Sequence, residues 1–270
     1  MSDATLVSTP MKKSQDGFES SSGQRRPDLS ICVLHYQYQD LTRDCLASID
    51  TQEIPCTYEK LLVDNGSDIP MDAPPGWRLF RSASNVGNIG GQSLCFEQAQ
   101  GTWVLFVAND VRLTPGCLKA LWVYRDEGTL LQPRLVQSNG KVDNCGLRWV
   151  WPGYGLSQRN GQRPDAITST CYLLHRRAWY SIGGFDEQLQ SSHEDIDFSL
   201  RGRAAGYVPE CLLTATATHL GNATLRHTLS NHRQVFHQAR LKVIRKHYRS
   251  WNYWTRYLAI QLIDHLPRLP

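Results

Sequence analysis

Ser192-His193-Glu194-Asp195-Ile196-Asp197 places three carboxylates within four residues, with Asn109-Asp110 far upstream and His219 downstream. Brought together, these side chains could serve two kinds of chemistry. A carboxylate can take a proton as a general base when it reaches its target. A carboxylate beyond a buried strand can share Mg²⁺ or Mn²⁺ with the phosphate oxygens of a substrate, and an imidazole suits Mn²⁺-class metals. On this reading Asp195 is the base, Glu194 holds substrate, and Asp110 and His219 hold the cation. Each piece also has a plain structural reading. Asn-Asp after a strand closes a turn. Ser192 with Asp195 has the form of a capping box, with Ser192 as the cap. First-turn acids favourably oppose a helix dipole. Asp197 and Arg201 at i,i+4 fit a surface ion pair, and a lone histidine is more often structural than a ligand. The residues alone leave both readings open.

The surrounding sequence predicts the elements that must position them. Leu29 to Leu34 is a short apolar run of buried-strand type, and Leu41 to Ile49 has apolar residues at helical spacing. Tyr58 to Val63 and Trp77 to Phe80 read as further strands. Asn85 to Gly91 reads as a glycine-rich turn whose amides could approach a phosphate, followed by a helix through Ala99. It lacks GxGxxG spacing, which argues against a dinucleotide site. Trp103 to Ala108 reads as a fully buried strand. Strands alternating with helices predict an α/β fold with a mostly parallel sheet, whose ligands gather at the carboxyl ends of the strands. His35-Tyr36, Asp64 and Asn109-Asp110 all fall at such ends.

Beyond Asp110 the pattern loosens. Residues 130 to 165 read as an irregular excursion over the site, compatible with a hairpin. Thr168 to Leu174 resumes a strand, Arg176 to Ile182 is a short helix closed by Gly183-Gly184, and Glu194 to Ala205 is a helix ended by Gly206. Leu212 to His219 is a last strand. Residues 1 to 28, polar and with little to bury, read as a disordered leader.

The 270 residues suffice for one core of about 200 residues plus appendages. No apolar run approaches the ~20 residues of a membrane span, and no secretion signal is visible. The eight cysteines show no CxxC pairing and read as reduced core residues of a cytoplasmic protein. Net charge is only +4, but beyond Glu210 the sole acid is Asp264 against nine Lys and Arg. The tail from Ser230 is expected to be helical, basic and rich in aromatics from Tyr248 to Tyr257. Two readings of it stay open: a helix at an anionic membrane surface through 240 to 260, or a helix packed on the core by the same aromatics. Nucleic acid is not the expected partner, because the basic residues lie outside the crevice-bearing part.

In order and spacing, these segments resemble the family 2 glycosyltransferases of GT-A fold, especially rhamnosyltransferase-like members. The matching pieces are Ile31-Cys-Val-Leu-His-Tyr36, Leu62-Val-Asp-Asn-Gly-Ser-Asp68, Asn85-Val-Gly-Asn-Ile-Gly-Gly91 and Asn109-Asp-Val111. They continue with Ile182-Gly-Gly-Phe-Asp-Glu187, Glu194-Asp-Ile-Asp197, Arg201 to Gly206 and His219. The resemblance implies a catalytic domain over 29–225 and a helical tail over 226–270. It also implies nucleotide-sugar contacts at His35, Tyr36, Asp64, Asn85, Gly87, Gly91 and Asn109, a metal on Asp110 and His219, and Asp195 as base. A sugar would pass, with inversion, from a nucleotide-diphosphate donor to a glycan or lipid-linked hydroxyl, with Mn²⁺ or Mg²⁺ assisting. The expected setting is the cytoplasm, extending to the inner membrane face if the tail binds lipid. Ala108 stands where the family's metal motif has its first aspartate. That departure keeps a second class open, a catalytically inactive nucleotide-sugar or glycan-binding module.

Overall fold

The computed structural model describes residues 26–189, 192–221 and 232–265; the expected leader therefore lies, as far as residue 25, outside the described residues. Strand β1 (Leu29–His35) is buried at all seven positions and pairs in parallel with β2 (Tyr58–Asp64) and β4 (Trp103–Ala108). A strand covered on both faces needs apolar residues at successive positions, which explains the unbroken run. Its alternate residues enter two cores. Ile31 and Val33 pack with Cys45, Leu46 and Ile49 of α1 (Gln39–Asp50), whereas Cys32 and Leu34 pack with Ile89, Cys95 and Phe96 of α2 (Gly87–Gln98). The period-2 pleat thus divides the helices between the two faces.

The sheet order is β3-β2-β1-β4-β10-β6-β11-β5, with β3 (Arg78–Arg81) at one edge. The first half is parallel. Beyond it, β10 (Cys171–His175) runs antiparallel between β4 and β6 (Thr129–Val136). Strand β11 (Val208–His219) is parallel to β6 and antiparallel to β5 (Val111–Leu113). The expected excursion over 130–165 therefore needs correction at its start, because β6 is an interior strand. Gln132 and Pro133 disguise it in the sequence. The Gln132 side chain is wholly buried, accepts from the Thr168 amide at 2.8 Å and donates to Asn144 at 3.3 Å, so a polar residue sits in a sheet without an orphaned group. The excursion proper begins at β7 (Val142–Asn144) and contains a hairpin of β8 (Leu147–Val150) and β9 (Tyr154–Ser157).

Two further helices follow the expected bounds closely, α4 (Arg176–Ile182) and α5 (Glu194–Ala204), with α3 (Cys117–Tyr124) after β5. The Asn85–Gly91 turn is shorter than expected, since Gly87 already opens α2. A Cβ on Gly91 would stand 2.7 Å from Leu34 Cδ1, so the glycine lets α2 close onto β1. Gly91→Val should cost about 1–3 kcal/mol by overpacking, read as a lower thermal midpoint.

The tail forms α6 (His232–His247) and α7 (Ser250–His265). Ala239, Val243 and Ile244 of α6 and Ile260 of α7 are buried, and Trp149 Nε1 donates to the Tyr248 hydroxyl at 2.9 Å. One face of the tail thus packs on the body. Trp251, Trp254, Leu258 and Leu262 remain exposed on α7. No helix among the described residues is long and apolar enough to cross a membrane.

Candidate active site

The carboxyl ends of β1, β2 and β4 open into a cleft of about 590 Å³, closed on its far side by the β8–β9 hairpin, the start of α5 and helix α6. One corner gathers Asp110, just past β4, and His219, the last residue of β11. The β5–β11 register sets Val111 opposite His219, and the Leu220 amide donates to the Asp110 carbonyl at 2.9 Å. His219 Nε2 then lies 3.4 Å from Asp110 Oδ2, and its Nδ1 lies 2.9 Å from Asp143 Oδ2. Burial lowers the imidazole pKa, but the hydrogen bonds and charges of Asp110 and Asp143 outweigh it and lift it to about 9. A histidine fixed through Nδ1 by a carboxylate has one nitrogen left to offer a metal. Asp110 and His219 are therefore suitable donors. Among the described residues no group of three or more His, Cys, Asp and Glu forms a complete cage, so a hard cation here would need substrate oxygens as well.

The second corner holds Glu194 and Asp195. Glu194 is buried, and its Oε1 accepts from Asn88 Nδ2 at 3.1 Å and Ser169 Oγ at 2.9 Å. Burial still raises its pKa. Asp195 is half-buried on the cleft wall; burial first, then the neighbouring Glu194 charge, pushes its carboxyl up to about 8. A carboxylate of raised basicity is suited to accept a proton near neutral pH.

The capping expectation is corrected here. His193, not Ser192, occupies the N-cap, in the left-handed region at φ 62°, and makes no side-chain cap bond. Ser192 Oγ instead meets His193 Nδ1 at 2.6 Å, and Asp195 Oδ1 accepts from the Ile196 amide at 2.8 Å. The surface pair expected of Asp197 and Arg201 is corrected too. Asp197 is wholly buried, because Lys246 and His247 of α6 close over it at 3.0 and 2.8 Å.

Tyr36, Asn85, Gly87 and Asn109 also line the cleft. Asn109 Nδ2 donates to Thr42 Oγ1 at 3.2 Å. His35 and Asp64 lie behind the lining. His35 is wholly buried, with Nδ1 2.6 Å from Thr42 Oγ1, and burial lowers its pKa. Asp64 pairs with Arg81 and accepts from the Ser67 amide at 2.9 Å. Gly91 also falls outside the lining. Asn65, not singled out in the sequence, faces the cleft: it accepts from the Val86 amide at 3.0 Å and donates to Gly87 O at 3.0 Å. It thereby ties the end of β2 to the start of α2.

The family model for glycosyl transferase family 2 matches residues 30–182, which carry β1 through α4 and with them Asp110. The chain belongs to glycosyl transferase family 2. It is 32% identical over 239 residues to the uncharacterized protein MT1568 of Mycobacterium tuberculosis, covering 77% of this chain and 74% of that one. It is 27% identical over 228 residues to the O-antigen biosynthesis protein RfbC of Myxococcus xanthus, covering 74% of this chain but 18% of that longer one. Among solved structures, GalNAc-T7 with UDP, GalNAc and Mn²⁺ superposes at a TM-score of 0.70 and 12% identity, over 90% of this chain and 52% of that one. The mannosyltransferase PcManGT of Pyrobaculum calidifontis, with GDP-Man and Mn²⁺, gives 0.57 at 13% identity, over 90% and 71%. These likenesses show the GT-A fold.

Several cleft residues of this glycosyltransferase carried no signal in the sequence. Asp143 lies in β7, within the stretch that reads as irregular in the sequence. Asn88 and Ser169 are ordinary polar residues until they meet on Glu194. Phe236 and Arg240, from the tail, complete the cleft wall. Helical spacing of Phe236 and Arg240 was the one available hint, and it pointed equally to a packed or a solvated face.

Proposed function

We propose that this glycosyltransferase moves a hexose, with rhamnose a candidate, from a nucleotide-diphosphate donor to a hydroxyl of a glycan or lipid-linked acceptor, with inversion. The observation that carries this reading is one cleft holding both corners: Asp195, of raised basicity, and the Asp110–His219–Asp143 triad. Asp195 takes the proton from the acceptor hydroxyl as that oxygen attacks the anomeric carbon. Glu194, fixed by Asn88 and Ser169, positions the sugar or acceptor. Tyr36, Asn65, Asn85 and Gly87 are suited to the nucleotide end. Asp110 and His219 would hold Mn²⁺ or Mg²⁺, whose charge stabilises the departing diphosphate, an effect worth several kcal/mol. The Mn²⁺ complexes of GalNAc-T7 and PcManGT support this assignment, and RfbC's role in O-antigen biosynthesis supports a polysaccharide acceptor. The catalytic body is proposed to span 29–225. A cytoplasmic setting, with the exposed apolar face of α7 against the inner membrane leaflet, completes the reading.

Incubating a panel of nucleotide sugars with and without Mn²⁺ tests the activity. Metal-dependent donor turnover is expected. Donor binding without any turnover would instead identify the inactive binding module that Ala108 leaves open. A calorimetric check addresses the metal corner. With its pKa at about 9, His219 carries a proton at pH 7, and that proton must leave before Nε2 can bind a cation. Mn²⁺ binding should release about one proton at pH 7, and affinity should rise as pH increases toward 9. Asp143→Asn should weaken Mn²⁺ binding about 10- to 100-fold by freeing the ring. Mn²⁺ affinity independent of pH would remove His219 from the site.

A further inference from the structure

Arg240 projects from α6 into the cleft while only 8% exposed. Its guanidinium lies 4.1 Å over the Tyr154 ring, and Nη1 reaches Asp264 Oδ1 at a long 3.3 Å. The same Asp264 carboxylate also accepts from the Tyr154 hydroxyl at 3.0 Å and contacts His237, so its charge is shared. Arg240 Nε is buried with no hydrogen-bond partner among the described residues. A guanidinium has five donors in a fixed fork, and a buried donor left unmet, as Nε is here, is costly unless a ligand completes it. Around it stand Phe236 and His193, whose rings meet edge to face at 5.7 Å, with Trp149 on the other side of His193 at 6.3 Å. Burial, followed by the Arg240 charge, lowers His193 to about 4, so this histidine is neutral and the arginine is the cation of this wall. Asp195 lines the same cleft, next in sequence but one to His193.

We propose that Tyr154, His193, Phe236 and Arg240 form the acceptor subsite, and that it takes an acceptor bearing an anionic group, a phosphate or a carboxylate, held by the Arg240 fork. The aromatic rings cover the acceptor's sugar face, and its hydroxyl is offered to Asp195. This rests on the proposed transferase reading, which it deepens by giving the acceptor a charge. It assigns the tail a part in substrate selection, since Arg240 and Phe236 both come from α6. The fork is the natural partner for planar carboxylate or phosphate oxygens.

The test titrates the full chain with glucose 1-phosphate, glucuronic acid and methyl glucoside by calorimetry. The donor site is first filled with UDP or dTDP and Mn²⁺, whichever nucleotide binds. The anionic sugars should bind at least about tenfold more tightly than the neutral one, and the tighter of the two identifies phosphate or carboxylate. Arg240→Gln should weaken them about 10- to 100-fold while leaving nucleotide affinity unchanged, and Arg240→Lys should fall between. Equal binding of all three sugars, binding of none, or an Arg240→Gln variant that matches the native chain overturns the proposal. A parallel loss of nucleotide affinity would assign Arg240 to the donor phosphates and also overturn it. Repeating the titrations without nucleotide separates the two readings: Arg240-dependent anion binding with no nucleotide binding would sink the donor reading alone.

Discussion

Asp195→Asn is expected to lower sugar transfer by about 10²–10⁴-fold while nucleotide-sugar affinity stays near that of the native chain. The side chain keeps its shape and loses only the ability to take a proton, so binding and chemistry should separate. Steady-state kinetics beside equilibrium donor binding would show it, and near-normal turnover would remove Asp195 from the base role. A second signature distinguishes this residue from a helix-capping acid. Its folded pKa, pushed up to about 8 by burial and then by Glu194, exceeds the unfolded value of about 3.9. Whatever the raised pKa contributes to stability is present below the unfolded pKa and is lost as pH rises through the folded one. Asn removes that loss, so the variant should gain thermal stability over the native chain between about pH 4 and 8, then level off. Transfer by the native enzyme should rise over the upper part of the same window, as the carboxylate forms. A helix-capping acid would show the opposite stability trend, because its pKa would be lowered.

Asp197→Ala should destabilise the fold by about 3 kcal/mol, because it removes a wholly buried carboxylate that accepts three hydrogen bonds, two of them from the part-exposed Arg201 and Lys246 cations. The wholly buried carboxylate accepts from Arg201 Nε at 2.8 Å, Lys246 Nζ at 3.0 Å and His247 Nε2 at 2.8 Å. Arg201 in turn donates to the carbonyls of Ile182 and Gly184, and Lys246 pairs with Asp186. One side chain thus ties α5, the Gly183-Gly184 turn and α6 together. Thermal melts should fall by about 10 °C for a domain of this size, with α6 the first segment cut in limited proteolysis. Burial alone would raise the Asp197 pKa, but His247, Arg201 and Lys246 reverse it, and the net shift is downward. This stabilisation is therefore present above the unfolded pKa near 3.9 and is lost as pH falls through the lower folded value. A variant melting within a degree or two of the native chain would show that the tail is held by its apolar contacts alone.

The elements were legible where one local rule sufficed. The buried run of β1, the helical spacing of α1 and the glycines after α4 needed no knowledge of neighbours. Gln132-Pro133 hid β6 because a polar residue is admitted to a sheet only when distant groups satisfy it, here Thr168 and Asn144. Ser192 misled in the same way. The capping box is a local motif, but the turn into α5 is set by His193, packed edge to face between Trp149 and Phe236, which are 44 residues before it and 43 after it.

By itself the sequence determined the alternating strands and helices from β1 to β4 and marked Asp110, Asp195 and His219 as groups able to do chemistry. The elements follow from side-chain type and short-range periodicity, whereas the roles of the three residues came from the resemblance to family 2 glycosyltransferases. Only the tertiary structure decided which carboxylates act on which neighbour. It drew Asp143 onto His219, buried Asp197 under the tail, turned His35 and Asp64 away from the cleft lining and brought Arg240 into it. Those outcomes depend on burial and on charges a few ångströms apart in space but tens of residues apart in the chain, and such distances are set by packing of the whole sheet and its helices.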